Sequence, residues 1–370
     1  MAPDPWHFAR TDDARQTLLA LTRGPIVAMS LFGARRTGKT EFLLRDLAPL
    51  AVAEGHRVVY ASFWQSPAAP LAVLLYECDR ALQPRNSLEK LSNWTSHLPV
   101  KAKLGGPNAA IEVDFTARQK APPDDQVLLL DTYLDRLSNA RRPALLLLDE
   151  AQELAKHPQG DIIMAALRTA LDKRRDGLRS MFTGSSQLGL NKVFSARAAP
   201  FYRFATPVSL PPLGPGFVDF QCGVFRKVYR RRLSRDAAGH AFKRFRGNPF
   251  IFRQWLSLLG SNAGLTEMDA EARVLRDLAA QLDFDRVWMR FTGEQRAVAR
   301  LLAERAHGLF GSAAEPRLTA LIGQAPSPSA RQSAIRLLQR QGRADQFDRE
   351  WRLADPLFEE WVLDRAPEDF

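Results

Sequence analysis

The chain has 370 residues, 45% apolar and 25% charged, with a formal net charge of +11 and two cysteines. This is the composition of a globular protein large enough for two or three domains. It excludes a disulfide-stapled scaffold and a membrane span, because no apolar run approaches ~18 residues and Cys78 and Cys222 lack any ligand or framework spacing. The positive excess favours a polyanionic partner, nucleic acid first, although Arg- and Ala-rich composition alone produces the same sign. The N-terminus, Met1-Ala2-Pro3-Asp4-Pro5-Trp6, carries no basic segment ahead of an apolar one, so no signal peptide and a cytoplasmic location are expected.

In chain order, Ile26–Phe32 reads as a buried strand ended by Gly33, and residues from Glu41 to about Ala53 as a helix. A strand over Arg57–Phe63 and a helix from Pro70 to about Leu82 follow. Val100–Leu104 and Ala110–Phe115 alternate apolar and polar around Gly105-Gly106-Pro107-Asn108, the pattern of an inserted hairpin at about 99–116. Ala117–Asp125 reads as a polar linker. Ala144–Asp149 is apolar on both faces, as a central parallel strand must be. A helix over Ile162–Arg174 and strands over Leu178–Thr183 and Ala205–Leu210 complete an α/β domain with a parallel sheet covered on both faces.

Pro211-Pro212-Leu213-Gly214-Pro215-Gly216 marks a boundary, which sets domains at 1–212, 213–285 and 286–370. Phe217 to about Leu282 is largely helical, a small lid. Thr292-Gly293-Glu294-Gln295 has capping-box spacing and opens a helix to about Arg305. Helices near Pro316–Ile322 and Ser329–Gln341, two short strands near Gln346–Asp348 and Trp351–Leu353, and a last helix from Pro356 give a winged-helix pattern.

Gly33-Ala34-Arg35-Arg36-Thr37-Gly38-Lys39-Thr40 lies between a strand and a helix, as a phosphate loop must. Its glycines let backbone N–H groups face phosphate oxygens, Lys39 reaches the terminal phosphates, and the Thr40 hydroxyl is a Mg²⁺ ligand. Asp149, at the end of the third strand, is placed to hold Mg²⁺, and Glu150 to polarise the attacking water. Two adjacent acids also suit a helix N-terminus. In Thr183-Gly184-Ser185-Ser186 a polar side chain, Ser185 foremost, either orients that water or caps the next helix. His157 reads as a loop residue rather than a catalyst.

Together these segments resemble the AAA+-like P-loop ATPases, and among them the STAND-type branch that includes the "archaeal ATPase" family, over about Phe8 to Leu363. The matching segments are Phe8-Ala9-Arg10, Leu148–Leu154, Phe182–Ser186, Pro200–Thr206, Gly247-Asn248-Pro249-Phe250 and Arg352–Val362. The resemblance implies ATP and Mg²⁺ as cofactors, Arg10 and the lid Pro249 near the nucleotide, and nucleotide-driven change in conformation or oligomeric state. It also implies an arginine ahead of the fifth strand that reaches a neighbouring subunit. The family's position for it falls on Phe204, so Arg203 is the first candidate and Arg197 the second. Arg253, one turn after Phe250, stands near the place of a sensor arginine.

Candidate nucleic-acid contacts are Arg331, Arg336 and Arg343 in the winged helix, with a solvated helix face or packing on the ATPase core as the alternative, and Arg230, Arg231 and Arg232 in the lid, with lid-to-core contacts as the alternative. Arg331 and Arg336 are five residues apart and point about 140° apart on a helix, so they do not share one face. The expectation is an ATPase acting with DNA as a homo-oligomer. The alternative is a nucleotide-gated signalling switch that binds a protein partner and no DNA.

Overall fold

The computed structural model describes residues 4–33, 36–83, 123–138, 142–184, 193–194, 199–347, 350–366 and 369–370. The hairpin expected at 99–116 lies outside them, as do Ala34, Arg35, Ser185 and Arg197. The chain forms two compact units, the first made mainly of residues up to Leu210, with the sheet and its helices, and the second mainly of Pro211–Phe370.

The first unit opens with α1 (Thr11–Thr22), which buries Ala14, Leu18 and Leu21 at helical spacing. β1 (Ala28–Phe32) leads through the phosphate loop into α2 (39–53), wound as a π-helix over Phe42–Leu47. Then come β2 (Arg57–Ser62), α3 (Pro70–Leu82), α4 (Pro123–Ser138), β3 (Ala144–Asp149), α5 (Gly160–Lys173), β4 (Leu178–Gly184) and β5 (Thr206–Ser209). All five strands are parallel, in the order β2-β3-β4-β1-β5. The result is an α/β P-loop NTPase fold.

β3 and β4 explain the core. Alternation sends Leu146, Leu148 and Phe182 to one face of the sheet, and Leu145, Leu147 and Met181 to the other. Every residue of β3 is buried, so the strand must be apolar throughout until it reaches its last residue, Asp149. β5 is an edge strand and mostly exposed, which is why it tolerates Pro207. Helix α4 is an addition to the sequence reading. Leu130, Leu134 and Leu137 are its buried stripe, and it begins at Pro123, inside the segment expected to be a polar linker.

The second unit carries α6 (Pro215–Tyr229), α7 (Arg235–Arg244), α8 (Pro249–Ser261), α9 (Glu267–Gln281) and α10 (Phe284–Met289). Phe217, Phe242, Phe252 and Trp255 pack as one aromatic cluster among its first helices. α11 (Gly293–Ala303) starts at a reciprocal cap: Thr292 Oγ1 accepts from Gln295 N at 3.3 Å, and Gln295 Oε1 accepts from Thr292 N at 3.2 Å. α12 (Glu315–Ile322), α13 (Pro328–Arg340), the antiparallel pair β6 (Ala344–Phe347) and β7 (Glu350–Leu353), and α14 (Pro356–Leu363) follow. Among the described residues no helix is long and apolar enough to cross a membrane.

Candidate nucleotide site

In a parallel sheet of this order, ligands bind beyond the carboxyl ends of the strands, where the chain order reverses. β1 lies beside β4 and not beside β2, so its C-terminus lies close to those of β3 and β4. The register pairs Phe32 with Gly184, Leu31 with Thr183, and Leu148 with Phe182, which brings Gly33, Asp149 and Thr183 to one end of the sheet.

The phosphate loop turns there. Gly38 has φ +91°, a left-handed conformation that L side chains rarely adopt, and an added Cβ would meet no atom within 4 Å. Glycine is therefore required by backbone conformation and not by space. Arg36 is also left-handed, at φ +64°, with an exposed side chain, and Thr37 is half-buried. Lys39 is buried, and its Nζ donates to Gly33 O at 2.6 Å, which lays the ammonium across the loop.

Asp149 is the centre of the site and is 3% exposed. Its Oδ2 accepts from Thr40 Oγ1 at 2.8 Å and from Tyr60 Oη at 3.0 Å. Its Oδ1 accepts from the Thr183 hydroxyl and from Glu150 N at 3.1 Å. Donors from α2, β2 and β4 thus converge on one carboxylate at the end of β3. Burial first, and the Asp149 charge second, push the Tyr60 phenol far above its ordinary value, so Tyr60 stays a donor. Glu150 holds a left-handed backbone, φ +57°, and its carboxylate accepts from Gln152 Nε2. Such conformations persist where neighbours over-determine them.

A buried carboxylate beside a hydroxyl suits Mg²⁺, a hard cation that takes one or two protein oxygens and completes its shell with phosphate and water. Among the described residues no group of three His, Cys, Asp or Glu side chains offers a metal an all-protein cage. Thr40 and Asp149 are the residues that fit the ion.

Other expected residues fall elsewhere. Arg10 faces Asp13 at 3.5 Å and is largely buried. Pro249 is the first residue of α8, whose cap Asn248 accepts from Phe250 N at 2.9 Å and Ile251 N at 3.3 Å. Arg203 is exposed, left-handed at φ +54°, with its guanidinium 5.3 Å from the Tyr202 ring centroid. His157 hydrogen-bonds Ala68 O at 3.2 Å and Gln159 N at 3.1 Å, as a loop residue does.

The basic residues divide. Arg331 corrects the expectation of a DNA contact: it is 1% exposed, and its Nη1 donates to Leu309 O at 3.1 Å and Gly311 O at 2.9 Å. Arg231 likewise turns inward, to Leu259 O and to Asn262 O at 3.4 Å. Arg343 is half-buried over the rings of Phe358 and Phe284, at 5.4 and 6.0 Å. Arg230, Arg232 and Arg336 are exposed. Arg174, just past the end of α5, pairs with Asp131 at 2.7 Å and Asp135 at 3.2 Å and ties that end to α4.

Two contributors escaped the sequence reading. Tyr60 reads as an ordinary strand aromatic, and only its place two residues before Ser62, the partner of Asp149 in register, marks it. Arg168 is marked in the sequence only by its place within a helix, yet it bonds Pro200 O and Tyr202 O.

No protein-family model and no curated protein matches this chain. Solved structures do. A Walker-type ATPase of Pyrococcus abyssi is 17% identical and superposes with a TM-score of 0.64 over 96% of each chain. The ORC2 protein of Aeropyrum pernix, in its ADPNP-ADP complexes, is 15% identical with a TM-score of 0.54 over 95% of this chain and 91% of that one. Its ADP form gives 16% and 0.52, over 96% of this chain and 92% of that one. At these identities the likeness is one of fold.

Proposed function

We propose that this chain is a Mg²⁺-dependent, ATP-hydrolysing protein of AAA+/STAND type, whose nucleotide-driven change of conformation or oligomeric state acts with DNA. The observation that carries the reading is the Asp149 carboxylate bonded to Thr40, one residue from Lys39, at the carboxyl end of the sheet. Likeness in fold to a Walker-type ATPase and to a protein solved in ADPNP-ADP complexes supports it.

In this reading backbone N–H groups of the loop from Gly33 to Gly38, with Ala34 and Arg35 among them, cradle the phosphates. Lys39 attracts the terminal ones. Thr40 and Asp149 hold Mg²⁺, which would neutralise charge on the phosphates. Glu150 positions the attacking water, assisted by Thr183 at the end of β4 and by Ser185. Arg10 flanks the nucleotide. Arg203, exposed, reaches the nucleotide of a second copy of the chain.

For DNA the reading rests on the charge of +11 and on the C-terminal elements, taken as a winged helix. On α13, Gln332, Ser333, Arg336 and Arg340 form the exposed face opposite the buried Arg331, Ala334, Ile335 and Leu338. The inward turn of Arg331 and Arg231 is the observation that favours the rival, a nucleotide-gated switch with a protein partner.

The test is an equilibrium titration with Mg-ATP of the wild type and of Lys39→Ala. The wild type is expected to bind, and Lys39→Ala to lose most of the affinity because the charge on the terminal phosphates is gone. Wild-type affinity in Lys39→Ala would contradict the assignment of the loop.

A further inference from the structure

The segment that carries Arg203 into the edge strand β5 is pinned at three places. Phe201 is fully buried, its ring 5.0 Å from that of Phe182 and 5.6 Å from that of Phe194. The backbone closes on itself: Tyr202 N donates to Ala199 O, Arg203 N to Phe194 O and Phe204 N to Phe201 O, each at 2.9 Å. The third pin is Arg168, from α5. Its Nη1 donates to Pro200 O at 2.9 Å and to Tyr202 O at 3.0 Å, and its guanidinium lies 5.1 Å from the Phe204 ring centroid.

Arg203 sits inside this clamp with φ +54°. For a residue with a Cβ that conformation costs roughly 1–2 kcal/mol and persists only when the surroundings impose it. The side chain it presents is exposed, and among the described residues no carboxylate pairs with it. One arginine is therefore kept available while another is used up in holding its backbone. Arg168 also faces Asp172 at 3.3 Å, but both side chains are about one-third exposed, so that i,i+4 pair contributes little. The contacts that reach 32 and 34 residues along the chain are those to the two carbonyls. Their geometry suits a guanidinium, a planar fork that bonds in its plane and stacks on a ring with its face; an ammonium does not do both.

We propose that Arg168 is the positioning residue for Arg203: it holds the left-handed turn that directs the Arg203 guanidinium outward, toward the nucleotide of a second copy of this chain. The proposal rests on the reading of Arg203 as an arginine acting in trans, and the experiment separates the two.

Single-turnover ATP hydrolysis is measured for Arg203→Ala, Arg168→Ala, Arg168→Lys and the double Ala variant, alone and mixed with Lys39→Ala subunits. Lys39→Ala subunits, expected to have lost most of their ATP affinity, still supply an intact Arg168 and Arg203 to a neighbour. Arg168→Ala is expected to bind ATP as the wild type does and to hydrolyse it at least about tenfold more slowly, toward the ~10³-fold that an arginine finger supplies. Arg168→Lys is expected to stay slow. The double variant should be no slower than Arg203→Ala, because the two residues act as one unit. Mixing with Lys39→Ala should restore hydrolysis to Arg168→Ala, whereas Lys39→Ala subunits that also carry Arg168→Ala should restore none to Arg203→Ala. If Arg203→Ala is slow and Arg168→Ala is not, Arg203 keeps its role and the proposal for Arg168 falls. It also falls if Arg168→Ala is slow but not restored by mixing, or loses ATP affinity, since damage to a subunit's own site is not repaired in trans. Wild-type hydrolysis by Arg203→Ala would overturn the in-trans reading itself and Arg168 with it.

Discussion

Asp149 and Glu359 are buried carboxylates, one in each unit of the protein, and they are held in opposite ways. Asp149 is surrounded by neutral donors: the hydroxyls of Thr40, Tyr60 and Thr183 and one backbone N–H. Glu359, on α14, meets Arg305 at 3.1 Å and Arg246 at 3.6 Å, and the neighbouring Glu360 takes Arg246 Nε at 2.8 Å. Burial pushes the Glu359 carboxyl upward and the two arginines pull it back. Neutral donors orient a carboxylate and leave its charge for an incoming cation, whereas an arginine pair cancels it. The same contrast divides the arginines. Arg331 and Arg300 spend their donors on carbonyls of their own unit, Arg300 on Val362 O, Leu363 O and Arg365 O. Arg203 and Arg336 do not. Where charge is left unspent is where function is to be sought.

The largest effect that would sharpen this contrast lies on one helix. Arg331→Ala removes a buried guanidinium, leaves Leu309 O without a donor and takes one of the two donors from Gly311 O, so it should destabilise the protein by about 3–5 kcal/mol in denaturant unfolding. Arg336→Ala, on the exposed face of the same helix, should stay within about 0.5 kcal/mol. Equal destabilisation by the two would erase the distinction between spent and free arginines.

Next in size is an ion pair in the first unit. His7 Nε2 bonds Asp46 Oδ1 at 2.8 Å, and Nδ1 lies 3.5 Å from Glu41 Oε2, outside hydrogen-bond geometry. Both acids belong to α2, the helix that follows the phosphate loop. Burial alone would lower the His7 pKa, but the two carboxylates outweigh it and raise it from 6.5 to about 9. A raised folded-state pKa gives stability that is complete below the unfolded value and lost as pH rises through the folded one. Wild-type stability should therefore fall between about pH 6.5 and 9, by up to about 3 kcal/mol, and His7→Ala should flatten that slope. Identical slopes in both proteins would remove the pair from the account.

The smallest expected effect concerns the exposed arginines of α13. Arg336→Ala with Arg340→Ala should reduce the salt dependence of duplex binding by about one slope unit for each phosphate that an arginine no longer neutralises, with ATP affinity unchanged. Fluorescence anisotropy of a labelled duplex at several salt concentrations measures it. No binding by the wild type at low salt would favour the protein-binding switch.

The carboxyl end of the sheet, where the candidate site lies, is legible in the sequence because its residue types are tied to chain position. A glycine must follow β1, and an apolar strand must end in its acid, so Gly33, Lys39, Thr40 and Asp149 announce themselves. Tyr60 does not, since a strand aromatic looks the same whether or not its hydroxyl has a task. Helix α4 escapes although Leu130, Leu134 and Leu137 stand at helical spacing, because its first residues, Pro123 and Asp125, read as the end of a polar linker. For α13 the period of the helix is enough to say that Arg331 and Arg336 face apart, but not which one faces in. That depends on the carbonyls of Leu309 and Gly311, about twenty residues earlier in the chain.

If Lys39 holds ATP and Glu150 works on it once bound, both roles are read from the identity of the nucleotide retained after each protein is incubated with Mg-ATP and desalted. Wild type should carry ADP. Glu150→Gln should carry intact ATP, because removal of a general base slows turnover by roughly 10²–10⁴ while Lys39, Thr40 and Asp149 still hold the nucleotide and its ion. Lys39→Ala should carry neither. ADP on Glu150→Gln at the wild-type level, or nucleotide on Lys39→Ala, would contradict the account.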